Sequence, residues 1–147
     1  MKARDVMTLF PATCTPDTTI AAAARLMVSA DCGAIPVIGE TDERPVGVIT
    51  DRDMVVRALA QDRGPELRVR DCMTSPAITV TEDASLHEVI TLLEQRQIRR
   101  VIVVAEDGRC VGIIAQADIA EHASRDTAGE LLHEISRPLS AAERHPH

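Results

Sequence analysis

Two stretches carry residue types that can grip a ligand. Residues 47–54 read GVITDRDM, and residues 112–119 read GIIAQADI. In the first, Thr50 and Asp53 stand three apart, with Arg52 between them. A threonine followed three positions later by an acid is a capping-box pattern. The hydroxyl oxygen accepts an orphan amide at a helix start, and the carboxylate reaches back to the N-cap amide. The same groups suit a nucleotide. Amides at a helix start favour a phosphate, a carboxylate one turn in accepts both ribose hydroxyls, and Arg52 offers a charged fork. The two readings are compatible, because a capped helix start is also a preorganised one. The second stretch keeps Asp118 but has Ala115, Gln116 and Ala117 where the first has Thr50, Asp51 and Arg52. It should be the weaker of the two.

Both stretches are corners of an internal repeat. Arg4-Asp5-Val6-Met7-Thr8 recurs as Arg70-Asp71-Cys72-Met73-Thr74, and Thr13, Thr15 and Asp17 correspond to Thr79, Thr81 and Asp83. Val46-Gly47-Val48-Ile49 recurs as Val111-Gly112-Ile113-Ile114. Each copy opens with a short strand, over 12–15 or 78–81. A helix follows, started by Asp17-Thr18-Thr19 in one copy and by Asp83 and Ser85 in the other. Ile20, Ala24, Met27 and Val28, like Leu86, Ile90 and Leu93, recur at helical spacing. Gly33 is expected to close the first of these helices. Two β-branched runs come next, 34–38 with 46–50 and 101–105 with 111–115. A last helix is expected over 51–60 and over 116–123.

Three short strands and two helices cannot bury their apolar face alone, so the copies must pack on each other. The pattern predicts an α/β (α+β) fold of tandem β-α-β-β-α repeats with pseudo-two-fold symmetry and three-stranded sheets packed with helices. The division expected is 1–66 for the first repeat, 67–123 for the second and 124–147 for a C-terminal tail. In that tail, 130–135 is read as a short helix and the remainder as frayed.

Composition excludes several function classes. The 147 residues are 45% hydrophobic and 27% charged, which is a globular balance. A single Phe with no Trp or Tyr leaves no stacking platform for bases. The net charge of −7 opposes a phosphate backbone. No nucleic-acid partner is expected. No apolar run approaches the roughly 18 residues of a membrane span, and MKARDV lacks the apolar core of a secretory signal. The expectation is a cytoplasmic protein without a membrane partner. Cys14, Cys32, Cys72 and Cys110 form no CxxC pair and are read as free thiols. A Cys14–Cys32 link, or a metal shared by a cysteine and a histidine, is the alternative. His87, His122, His133, His145 and His147 are dispersed without zinc-site spacing, so no metal is assigned. No nucleophile motif or phosphate loop occurs, so no catalytic residue is assigned and no enzyme is expected. The least implausible chemistry is a redox role for Cys14, which would need a lowered thiol pKa.

The order MT, helix, (I/V)PV, GVITDRD, given twice over residues 4–122, resembles a CBS-domain pair, also called a Bateman module. The opening ARDVMT and the segment GVITDRDMVVRALA are most similar to its stand-alone actinobacterial members. The resemblance implies a regulatory module, with stress response as its setting. It implies AMP, ADP, ATP or S-adenosylmethionine as a regulatory ligand in clefts between the copies, with no cofactor required. It also implies a homodimer formed through helices, and an unknown protein target as a further partner. Carried onto this chain, the base contacts fall at Thr13, Cys14, Pro16, Ile35, Pro36 and Val37, and in the second copy at Thr79, Val101 and Val103. Arg99 and Arg100, as a pair before the strand, face a phosphate across the cleft or line a solvated strand entrance. Pro36 has a plain alternative as strand-edge punctuation, and Ile102 in its place further weakens the second cleft. The competing function is a protein-interaction dimer whose nucleotide clefts are vestigial.

Overall fold

The computed structural model describes residues 1–9 and 11–133. In order these form α1 (Ala3–Val6), β1 (Thr8–Leu9), α2 (Ile20–Ala30), β2 (Ala34–Ile38), β3 (Pro45–Thr50), α3 (Asp51–Arg57), β4 (Thr79–Thr81), α4 (Leu86–Arg96), β5 (Arg100–Val104), β6 (Cys110–Ala115) and α5 (Gln116–His133). Short 3-10 turns stand at Leu59–Gln61 and Val69–Asp71. The alternation of helices and strands is that of a duplicated α/β unit.

Helix starts follow the polar signals. The Thr19 hydroxyl accepts the Ala22 N–H at 3.1 Å, and the Ser85 hydroxyl accepts the Glu88 N–H at 3.1 Å. Helix ends do not follow the glycine. Asp31 and Gln97, at corresponding positions, adopt φ of 50° and 53°, and each turns its N–H back onto two carbonyls of the preceding turn. Asp31 therefore closes α2, two residues before Gly33. Gly33 has a different constraint: a Cβ there would come within 2.9 Å of Asp51 Oδ2. On the core side, α2 buries Ile20, Ala23 and Met27, while α4 buries Val89 and Leu93. Ala24 is only half-buried and Val28 is 83% exposed. At ~100° per residue, Val28 lies about 80° round from Ile20 on the side away from Ala23, and so misses the buried stripe.

The sheets are unequal. One has four strands in the order β1-β6-β5-β4, with β4 parallel to β5 and the other pairs antiparallel. The other is the antiparallel hairpin β2-β3. The strand expected over 12–15 contracts to Cys14, which donates its N–H to Pro36 O at 3.1 Å and accepts that of Ile38 at 2.8 Å. Two features cut it short. Pro11 and Pro16 have no N–H to give, and the Thr15 N–H is diverted to the Thr18 hydroxyl. The two three-stranded sheets expected are thus a four-stranded sheet and a hairpin flanked by single-residue pairings.

The copies exchange their opening segments. Thr8 and Leu9 of the first copy pair with Ile113 and Gly112 of the second. Reciprocally, Thr74 exchanges two backbone bonds with Val48, at 2.9 and 3.0 Å. Upstream, Ala3 and Arg4 donate to Ala84 O and Glu82 O, while Val69 and Arg70 donate to Thr18 O and Pro16 O. Matching ion pairs, Arg4–Asp83 and Arg70–Asp17, lie outside each junction. The cores follow the exchange. Val69 and Cys72 pack with Cys14, Ile20, Ile35, Val37 and Ile49, and Ala3 packs with Val89, Val101, Val103 and Ile114. Each core is completed by the other copy's first residues.

The exchange also explains the glycine at the head of each corner motif. A Cβ on Gly47 would lie 2.7 Å from Thr74 O, and one on Gly112 would lie 3.0 Å from Thr8 O and 2.5 Å from Met7 Sδ. Only a bare backbone lets the crossing segment come this close. Beyond the second corner, α5 runs unbroken to His133, so the helix expected over 130–135 is, as far as 133, the end of α5. Residues 134–147 lie outside the described residues. Gly47→Ala should destabilise the protein by about 1–3 kcal/mol, the usual cost of overpacking. Gly112→Ala should cost less, because its nearest obstacle is a movable Met side chain. Urea unfolding of both variants checks the order, and equal or negligible losses would contradict the close-approach explanation.

Candidate functional site: a cleft between the repeats

The β3–α3 corner is a closed capping box. The Asp53 N–H donates to Thr50 Oγ1 at 3.1 Å, and the Thr50 N–H donates to Asp53 Oδ2 at 3.0 Å. This occupies one lone pair on each side chain. The Thr50 hydroxyl proton and Asp53 Oδ1 stay available, the latter with Arg57 Nε 4.0 Å away. Arg57 Nη1 meanwhile donates to Cys72 O at 3.2 Å and Met73 O at 2.9 Å. It thereby ties α3 to the segment that crosses from the second copy. Asp53 is largely enclosed, its side chain 13% exposed. At the second corner the Ala115 N–H donates to Asp118 Oδ2 at 2.8 Å, so the carboxylate half of the box remains and the hydroxyl half is missing.

Next to the first corner lies a cavity of about 560 Å³. Thr50, Asp51, Arg52 and Asp53 of the first copy form one wall, and Ile78 with Arg99, Arg100, Val101 and Ile102 of the second form the opposite one. Thr74 and Pro76, on the crossing segment, close one side. The cavity is therefore built across the repeat boundary. It unites Thr50, Arg52, Asp53, Arg100 and Val101 of the residues singled out from the sequence. Thr13, Cys14, Pro16, Ile35, Pro36 and Val37 are not on its wall. Ile35, Pro36 and Val37 are fully buried in β2, Cys14 is buried, and Thr13 and Pro16 are half-buried. In the second copy Thr79 is exposed on β4, Val103 is buried in the core, and Asp118 sits at its own corner. Sequence reasoning left out Ile78 as a site residue, while Arg99 entered only beside Arg100, as a pair facing a phosphate or lining a strand entrance. The inclusion of Ile78 depends on the exchange, which no local pattern announces.

Charge in the cleft is mixed but tilted. Among the described residues, no ion pair holds the side chains of Arg52, Arg99 or Arg100. Burial works against thiolate formation at Cys14, Cys72 and Cys110. All four are unpaired, burial pushes the Cys14 thiol up to about 11, and burial also raises Cys72 and Cys110. The low thiol pKa that a redox Cys14 requires is the reverse of what its surroundings impose. Among the described residues no group of three His, Cys, Asp or Glu can hold a metal, and no helix is long and apolar enough to cross a membrane.

A model of the CBS domain matches residues 3–59 and again 69–125. The chain belongs to the CBS-domain family. Stand-alone CBS-domain proteins of this kind are generally regulatory and non-catalytic. Hypoxic response protein 1 of Mycobacterium tuberculosis is 35% identical over 141 residues, covering 95% of this chain and 97% of that protein. A crystal structure of Hypoxic Response Protein I with two coordinated zinc ions superposes with a TM-score of 0.73, 36% identity, and 83% of this chain and 98% of that chain covered. The CBS domain pair of protein MJ0100, in complex with 5'-methylthioadenosine and S-adenosyl-L-methionine, gives a TM-score of 0.74 at 28% identity, covering 88% and 98%. The CBS-domain protein PAE2072 from Pyrobaculum aerophilum, complexed with AMP, gives 0.75 at 25%, covering 81% and 90%.

The two CBS corners generate a paired test. Thr50→Ala removes one bond of the intact box and should cost about 1 kcal/mol. Ala115→Thr completes the other box and should stabilise by up to a similar amount. Chemical denaturation reads both. A neutral Thr50→Ala with a destabilising Ala115→Thr would contradict the cap assignment.

Proposed function

We propose that this CBS pair is a non-catalytic sensor of an adenosine-type ligand: AMP, ADP, ATP or S-adenosylmethionine. The observation that carries the reading is the intact Thr50–Asp53 corner opening onto a cavity of about 560 Å³. That volume suits a nucleotide-sized ligand. In this reading Asp53 Oδ1 accepts a ribose hydroxyl, the Thr50 hydroxyl donates to the ligand, and Ile78, Val101 and Ile102 offer apolar surface to the base. The ligands of the MJ0100 and PAE2072 structures support the choice of an adenosine-type molecule. The ligand is regulatory, no cofactor is required, and the setting is the cytoplasm, in a stress response. The division proposed is repeat 1 over 1–66, repeat 2 over 67–123 and a C-terminal tail over 124–147.

The signal passes through a homodimer. Val28 on α2, Val55 and Val56 on α3 and Leu59 just beyond it are 83%, 54%, 45% and 71% exposed. This is apolar surface that a second copy can cover. Sedimentation should give a two-chain mass that Leu59→Glu lowers toward one chain. A monomeric parent would sink the dimer. The second reading, an interaction module with vestigial clefts, is favoured by one observation, the half-lost box at Ala115.

Calorimetry with AMP, ATP and S-adenosylmethionine decides between the two. The sensor reading expects saturable heat from at least one of them, weakened about tenfold or more by Asp53→Ala, the scale of a lost charged hydrogen bond. Melting of the unliganded variant is followed in parallel, because Asp53 also caps α3. No heat and no thermal shift at millimolar ligand would leave the interaction module as the function.

A further inference from the structure

We infer that Met7 and Met73 form a paired oxidation site, where a hydroperoxide converts each thioether to a sulfoxide and loosens the junction between the copies. The chain has five methionines, Met1, Met7, Met27, Met54 and Met73. Met7 and Met73 are the only two that answer each other in the repeat. The counterparts of Met1, Met27 and Met54 are Leu67, Leu93 and Ile119. Each of the pair lies on an exchanged segment and rests on the corner glycine of the other copy. Met73 Sδ is 3.1 Å from where a Cβ on Gly47 would stand, and Met7 Sδ is 2.5 Å from the same point on Gly112. Met73 also packs against the first copy's core, and Met7 against the second's. Both residues are half-buried, within reach of a small oxidant. Met27, at 7% exposure, is shielded in the first core.

The chemistry needs no thiolate and no bound group. A sulfur lone pair attacks the O–O bond of hydrogen peroxide and takes one oxygen. Sulfur gives up two electrons in forming the S–O bond, and the peroxide leaves as water. Burial raises the thiols of Cys14, Cys72 and Cys110, which weakens their competition for the oxidant. The product does not suit its seat. A sulfoxide oxygen accepts hydrogen bonds and donates none, and the nearest polar atom at each glycine is another acceptor. Thr74 O lies 2.7 Å from the Gly47 Cβ position, and Thr8 O lies 3.0 Å from that of Gly112. Thr74 O already takes the Val48 N–H at 3.0 Å. The new polar group must turn to water, because burying it without a donor is costly. Turning outward lifts the side chain off the glycine and uncovers the Thr74–Val48 and Thr8–Ile113 pairings. Reduction by a dithiol-dependent sulfoxide reductase returns the thioether, so the change is reversible.

The test treats the full chain with hydrogen peroxide until Met1, which is 56% exposed, is fully oxidised. Added oxygen is then mapped by peptide mass, with all four cysteines read in the same digest. Met7 and Met73 should each carry one oxygen. The melting temperature should fall by about 5 °C or more. Amide exchange in peptides spanning Val48, Thr74 and Ile113 should quicken about tenfold or more. Methionine sulfoxide reductases with a dithiol should reverse both changes. Met7→Leu/Met73→Leu, a swap close in volume, should melt near the parent and lose nothing further on the same treatment. The reversal is read on the parent chain, so it decides the matter even where the double variant does not fold. Oxygen confined to Met1 or to the cysteines, unchanged melting and exchange in a chain oxidised at Met7 and Met73, or an equal loss in the double variant would overturn the inference.

Discussion

The structure depends on a reciprocal exchange of backbone. Neither copy of the β-α-β-β-α unit closes its own sheet or core. Thr8 and Leu9 edge the second copy's sheet, and Thr74 edges the first copy's hairpin at Val48. Unpaired strand edges and half-filled cores are costly, so each copy is finished only in the presence of the other. The glycines of the two corner motifs follow from this, because Gly47 and Gly112 are where the exchanged segments pass closest. So does the cleft. A segment that crosses between copies carries the β3–α3 corner of one against the strands of the other, and Arg57 holds that crossing through Cys72 O and Met73 O.

In the proposed reading the Thr50–Asp53 pair serves two ends with one motif. As a cap it uses Thr50 Oγ1 and Asp53 Oδ2, and contributes about 1 kcal/mol to the helix start. As a ligand corner it has one hydroxyl proton and one carboxylate oxygen left over, held in place by the cap itself. Capping and gripping draw on different valences of the same atoms' groups. The second corner separates the two roles. Asp118 still caps through the Ala115 N–H, so a helix still starts there. The donor that would face a ligand is gone.

Much of this was legible locally. The repeat, the hairpins at 34–50 and 100–115, the caps at Thr19 and Ser85, and the paired corners all express short-range rules of alternation and capping. What escaped the sequence was either a close competition or a long-range event. Asp31 took the left-handed position expected near Gly33, since aspartate tolerates that conformation. Val28 fitted helical spacing but lay beyond the width of the buried stripe. Prolines on either side of Cys14 reduced an expected strand to a single pairing. The cleft lining is the clearest case. Thr50, Arg52, Asp53, Arg100 and Val101 converge, but Ile35 to Val37 sit in the core of their own copy, because the exchange turns the first corner toward the second copy's strands. No spacing within one repeat encodes which copy a corner will face.

A crystal structure with AMP bound tests the central claim, that the two copies jointly build one ligand cleft. The account predicts the ribose against Asp53, with the remainder of the ligand between Arg52 and the Ile78 and Arg100–Ile102 wall of the second copy. AMP held instead within the first copy alone, against Thr13–Pro16 and Ile35–Val37, would contradict it.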